Sequence, residues 1–137
     1  MSAKLETLSE NLGKHFGDKI KSLKLALGEI TLEVGAADYL GVMTALRDEA
    51  DFRFEEMVDL CGVDYSTYGD GAWQGLRFAV VVHLLSVAKN VRLRVRVFAD
   101  DDSFPSVDSV MGIWSTANWF EREAFDLYGI AFVGHDD

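Results

Sequence analysis

This sequence has little of what builds covalent or metal-held frameworks. Its one cysteine, Cys61, cannot close an internal disulfide, nor by itself hold an iron–sulfur cluster or a multi-cysteine zinc site. A redox centre would have to sit on a partner. Bases are scarce, with 13 Lys and Arg against 23 Asp and Glu and a formal net charge of −10. Nucleic-acid binding is therefore disfavoured, because counterion release rewards clustered positive charge. Long apolar runs are missing too: residues 78–85 are broken by His83, well short of the roughly 20 residues a membrane-spanning helix needs. The start, Met1-Ser2-Ala3-Lys4-Leu5, lacks the apolar core of a secretory signal, so export is not expected.

What is present describes one globular domain. The chain has 137 residues, 49% of them apolar, enough to bury about two-thirds of the surface exposed by the unfolded chain. Leu5, Leu8, Leu12 and Phe16 fall on one helical stripe, with Ser2 as N-cap and Gly17 as terminator. Residues 21–27 and 30–34 alternate as strands joined by Gly28-Glu29, a hairpin signal. Tyr39, Leu40, Met43, Leu46 and Ala50 predict a second helix over 36–50, with Asp38 near its positive end. Strands follow at 57–65, 76–87 and 91–98. The middle one is apolar on both faces, as in a central, covered strand, and the last alternates Val91, Leu93, Val95 and Val97 with Arg92, Arg94 and Arg96. Pro105 ends the sheet region. With Ser106 as N-cap, Val107, Val110, Met111, Trp114, Ala117, Phe120, Ala124 and Leu127 predict a last helix up to Gly129, with a break near Ser115. The expected fold is α+β: a two-layer α/β domain with a mixed five-stranded sheet and the order α-β-β-α-β-β-β-α.

Few residues offer chemistry. His83, within a strand and without a second histidine two residues away, reads as a hydrogen-bonded sheet residue rather than a metal ligand. His135-Asp136-Asp137 reads as a frayed end rather than a chelate. Cys61 has no neighbouring base in sequence and is expected to be a buried small hydrophobe. Gly69, Gly71 and Gly75 fit no phosphate-binding fingerprint, since a strand follows them. Arg92, Arg94 and Arg96 form a basic stripe with two readings: a dock for an acidic partner element, or charges neutralised across the sheet by Asp59 and Asp64. Glu121, Arg122, Glu123 and Asp126 form a charged cluster among Trp114, Trp119, Phe120, Phe125 and Tyr128. That mixture suits a protein interface, a core helix with a solvated face, or, given a pocket, acid–base work by Glu121, Glu123 or Asp126.

The run Ala117-Asn118-Trp119-Phe120-Glu121-Arg122-Glu123-Ala124-Phe125-Asp126-Leu127-Tyr128-Gly129-Ile130, preceded by Ile113-Trp114 and followed by Phe132 and Gly134-His135, resembles a known signature. It is similar to that of the 30 kDa subunit family of the proton-pumping NADH:quinone oxidoreductase, respiratory complex I. Val63-Asp64-Tyr65, His83-Leu84-Leu85-Ser86 and Arg92-Leu93-Arg94-Val95 resemble the same family. The resemblance implies a single domain over 1–137 without a catalytic site of its own, in the peripheral arm of the complex. FMN and iron–sulfur clusters would then reside on partner subunits and no cofactor on this chain. The implied partners are the quinone-site subunit of the 49 kDa type and the terminal-cluster subunit, and the implied location is the cytoplasmic side of a bacterial inner membrane. Trp119, Glu121, Arg122, Glu123, Asp126, Gly129, Gly134 and His135 are the signature residues expected to be structural or to dock a partner. Family members usually continue with proline and a basic tail after Gly-His, where this chain has Asp136-Asp137, so the tail is expected to be lacking. A subunit of a related membrane-bound hydrogenase-type complex and a freestanding α/β enzyme are the alternatives.

Overall fold

A computed structural model describes residues 2–135. Helix α1 (Ala3–Phe16) opens where Ser2 Oγ accepts a hydrogen bond from the Leu5 N–H at 3.2 Å, and it buries Leu8, Leu12 and Phe16. A 3-10 turn, Gly17–Lys19, leads into β1 (Ile20–Ala26), which pairs antiparallel with β2 (Glu29–Val34). The hairpin turn is Leu27-Gly28 rather than Gly28-Glu29. Both turn residues have positive φ, 53° and 74°, the backbone that a tight hairpin imposes, and Glu29 is thereby drawn into the strand. Helix α2 (Ala36–Asp48) buries Tyr39, Val42, Met43 and Leu46, while Leu40 is turned outward.

Strands β3 (Glu56–Asp64), β4 (Phe78–Ser86) and β5 (Val91–Phe98) complete a mixed sheet of order β1-β2-β5-β4-β3, in which only β2 and β5 run parallel. The central strand is therefore β5, and β4 lies one in from the edge. On the inner face Leu32, Val80, Val82, Leu93, Val95 and Val97 are fully buried and form one core with α1, α2 and the C-terminal elements. Among the described residues no α-helix packs on the outer face. The connection between β3 and β4 folds over one end of it, stacking Trp73 on Tyr65 (4.8 Å between ring centroids) and on Phe98 (6.0 Å). This cover accounts for part of the two-sided burial of β4, where Ala79 and Val81 are buried but Val87, just past the strand, is exposed.

The long last helix is shorter than its apolar spacing suggests. Residues 106–108 instead form strand β6 (Ser106–Asp108), parallel to β7 (Ala131–Val133), and turns carry the chain to α3 (Ala117–Tyr128). Ser106 begins a strand and caps no helix. Val107, Val110 and Trp114 are all buried, as a helical stripe requires, yet a short strand and turn bury the same residues. The backbone N–H groups decide between them. Ser109 N donates to the Val133 carbonyl, Val110 N to the Glu121 carboxylate and Met111 N to Ser109 Oγ, so none is left for a helical ladder.

Candidate functional site

Helix α3 is the signature helix, and its inner stripe is small. Ala117, Glu121 and Ala124 are buried, letting the helix lie close to β3. There a Cβ built on Gly62 would meet Tyr128 Cδ2 at 2.8 Å and Ile130 Cδ1 at 3.1 Å. Gly129 ends the helix at φ 73°, its N–H donating to the Phe125 carbonyl at 2.8 Å. Beyond it, Ala131 N donates to the Pro105 carbonyl at 2.9 Å, which aligns β7 with β6.

Glu121 is fully buried, and both of its oxygens have donors. Ser109 Oγ donates to Oε1 at 2.6 Å and the Val110 N–H to Oε2 at 2.8 Å, so one side chain of α3 fastens the turn after β6. Burial pushes its pKa above the usual carboxylate range, while the two hydrogen bonds oppose that shift. Nearby, the Tyr39 hydroxyl is buried without a hydrogen-bond partner. Burial, with the charges of Glu121 and Asp108, pushes its pKa well above the usual phenol value. An unsatisfied buried hydroxyl costs about 1–3 kcal/mol. Tyr39→Phe is thus expected to leave stability unchanged or raise it by about 1 kcal/mol, read from the midpoint of urea unfolding.

The outer surface of α3 carries the other signature residues. Trp119 is 61% exposed, Phe125 55% and Leu127 74%, with Arg122, Glu123 and Asp126 exposed among them. Leu127 thus leaves the inner stripe assigned to it by spacing. His135 Nε2 donates to the Asn118 carbonyl at 3.1 Å, returning the chain after Gly134 to the first turn of α3. Asp136 and Asp137, and with them a His-Asp-Asp chelate, lie outside the described residues. A cleft of about 160 Å³ is lined by Glu121, Arg122, Phe125, Ala131, Phe132 and His135. Glu123 and Asp126 are not among its walls, so the three acids do not converge as paired acid–base groups would. No group of three or more His, Cys, Asp or Glu side chains among the described residues could hold a metal ion.

The outer sheet face departs from expectation. Cys61 is exposed there rather than buried, because β3 is an edge strand, and its thiol pKa is raised by partial burial and by Asp59. His83 Nδ1 bonds to Asp59 Oδ1 at 2.7 Å, as a sheet histidine should, with Glu29 at 3.7 Å from its other nitrogen. Asp64 forms a two-point pair with Arg77 at 2.9 and 2.8 Å, which holds its pKa well below the usual range. Neither acid therefore neutralises the arginine stripe. Arg96 pairs instead with Glu33 at 2.8 Å and lies over the Tyr65 and Phe98 rings. This arrangement is not legible in the sequence, since it depends on β2 lying beside β5.

Comparison with known proteins adds the decisive observation. Residues 32–137 match the family model described as respiratory-chain NADH dehydrogenase, 30 Kd subunit. The chain belongs to this family. Over all 137 residues it is 82% identical to the NADH-quinone oxidoreductase C subunit of Dechloromonas aromatica (strain RCB) and 62% identical to that of Ralstonia nicotianae, covering 68% of each relative. A trypsin-resistant fragment of Nqo5 superposes with a TM-score of 0.82 at 29% identity, with 98% of each chain covered. A chain of an archaeal membrane-bound sulfane sulfur reductase, 19% identical, gives 0.76 over 98% of this chain and 73% of its own, which shows a shared fold. Within this chain, the signature spans α3, its glycine stop and β7.

Proposed function

We propose that the chain is a non-catalytic peripheral-arm subunit of the proton-translocating NADH:quinone oxidoreductase. In this reading it is a rigid scaffold that positions the quinone-site (49 kDa type) and terminal iron–sulfur subunits during electron transfer from NADH to quinone. The observation that carries the proposal is the two-sided character of α3. A buried carboxylate and small residues fix its inner face, while Trp119, Phe125 and Leu127 project into solvent among Arg122, Glu123 and Asp126. Aromatic anchors mixed with charge are the usual composition of binding hot spots, and charge-assisted hydrogen bonds strengthen when an interface excludes water.

FMN and the clusters then belong to partner subunits. One exposed cysteine on a sheet edge offers no cluster ligation, and no nucleotide fingerprint is present. No helix among the described residues is long and apolar enough to cross a membrane. In this reading, attachment to the cytoplasmic side of a bacterial inner membrane runs through the partner subunits.

The full-length protein with Trp119→Ala or Arg122→Ala, expressed in place of the host's own, is the test. Recovery of the quinone-site and terminal-cluster subunits in a pull-down read by mass spectrometry is expected to fall about tenfold or more for Trp119→Ala, with a smaller loss for Arg122→Ala. Equal recovery with wild type and both variants would remove α3 as the seam. Absence of both subunits even with wild type would end the scaffold reading.

A further inference from the structure

The outer sheet face holds a second feature that the α3 seam leaves unused. Four rows of side chains meet there: Glu29, Thr31 and Glu33 on β2; Arg92, Arg94 and Arg96 on β5; Val81, His83 and Leu85 on β4; Asp59 and Cys61 on β3. Several of these polar groups are matched within the chain. Arg96 is taken by Glu33, and Asp59 is hydrogen-bonded to His83, with Glu29 near the other ring nitrogen. Arg92 and Arg94 are the exceptions, since among the described residues neither makes an ion pair or a side-chain hydrogen bond. Arg94 sits at the centre of the sheet, paired across the backbone with Thr31 on one side and His83 on the other, and its Nε is cut off from solvent without an acceptor. Arg92, two residues earlier on the same face, is exposed and lines an open groove of about 740 Å³ together with Lys4, Leu27, Glu29, His83 and Leu85, and it makes no ion pair with that Glu29.

We propose that Arg92 and Arg94 on the open sheet face dock an acidic segment of a neighbouring protein chain. The inference rests on the subunit reading above for where that neighbour is found. Its basis is charge complementarity. In a chain of net charge −10, two guanidinium groups on the face of a sheet that make no ion pair within the chain are open to a carboxylate brought by a neighbour. Successive same-face residues of a strand lie about 7 Å apart. The fitting partner therefore presents two carboxylates at about that spacing, as acids at i and i+2 of an extended segment or i and i+4 of a helix do. Contact is through side chains, because the backbone of β5 is already paired on both sides. Glu29, Glu33 and Asp59 border the pair and repel continuous negative charge, which disfavours a nucleic acid or an anionic membrane and favours a short acidic segment in one register.

The test uses the full-length protein in membranes containing the assembled oxidoreductase, with Arg92→Lys and Arg94→Lys made separately. Each keeps the positive charge and supplies an amine that a water-soluble carbodiimide joins only to a carboxylate already in contact. The expected result is an amide from position 92 or 94 to an Asp or Glu of another subunit of the complex. Arg77→Lys is the control, and it should link only to Asp64 of the same chain. Cross-links confined to Glu29, Glu33 or Asp59, or none at all, in a complex that contains the protein would overturn the docking face while leaving the subunit reading intact. Absence of the wild-type protein from the complex would overturn both.

Arg94→Met supplies a readout that a merely structural arginine would not give. The isolated protein should melt at the wild-type temperature or slightly above it, while retention of its neighbour in high salt falls about tenfold. A lowered melting temperature with normal retention would make Arg94 a structural residue and overturn the proposal.

Discussion

Replacing Glu121 with alanine should destabilise the domain by about 2–4 kcal/mol. The substitution leaves the Val110 N–H and the Ser109 hydroxyl facing a cavity with no acceptor, and it removes a carboxylate that ties α3 to the turn after β6. For a chain of this size the expected fall in Tm is about 8–16 °C. Glu121→Gln should cost less than half as much, since its amide oxygen still accepts from Val110 N. The two variants also differ from wild type in pH dependence, and the sign follows from burial. Because the folded-state pKa of Glu121 is raised, its protonated form favours folding, so its contribution is fully present below the unfolded carboxylate value of about 4.5 and declines as pH rises through the folded value. The Tm gap between wild type and Glu121→Gln should therefore be widest in acid and narrow toward pH 7. A gap that widens with rising pH would mean that the hydrogen bonds outweigh desolvation at this carboxylate.

Gly62→Val should cost about 2–3 kcal/mol through overpacking. A first side-chain carbon at this position of β3 already stands 2.8 Å from the Tyr128 ring and 3.1 Å from Ile130, and the valine methyl groups would lie deeper still. The ring belongs to the last turn of α3 and Ile130 follows its glycine stop, so relief requires the C-terminal end of the helix to lift from the sheet. Two measurements check this: the denaturant midpoint, expected to fall, and amide exchange in residues 124–130, expected to accelerate more than exchange in α1. Uniform acceleration across both helices would show that the strain spreads instead through the core. Gly62→Ala should lie between wild type and the valine variant.

Much of this architecture follows from periodicity. The stripe Leu8, Leu12 and Phe16 with Ser2 as cap, the alternation of β5, and the apolar character of β4 each specify one element almost alone, because 3.6-residue and 2-residue spacings leave few other ways to bury those side chains. The stretch 106–116 is not legible in the same way. Its apolar spacing suits a helix, yet its N–H groups find Glu121, Ser109 and the Val133 carbonyl, partners that exist only once α3 and β7 have folded against it. Cys61 follows the same logic: its neighbours suggest burial, but the strand order puts it on an edge.

The family is legible in the dense block from Trp119 to Gly129, and the class of fold in the alternation of helix and strand periods. Which face of that block lies inside depends on how the elements pack. Helical spacing sorts residues into stripes but does not say which stripe meets the sheet; here the stripe of Ala117, Glu121 and Ala124 is inside, with Glu121 bonded to Ser109 and Val110 and Tyr128 packed on Gly62, while Trp119, Phe125 and Leu127 face outward. The state of the arginine stripe was settled in the same way. Ion pairs form between side chains that strand order makes neighbours, so placing β2 beside β5 gave Arg96 its Glu33 and set Thr31, which carries no charge, opposite Arg94.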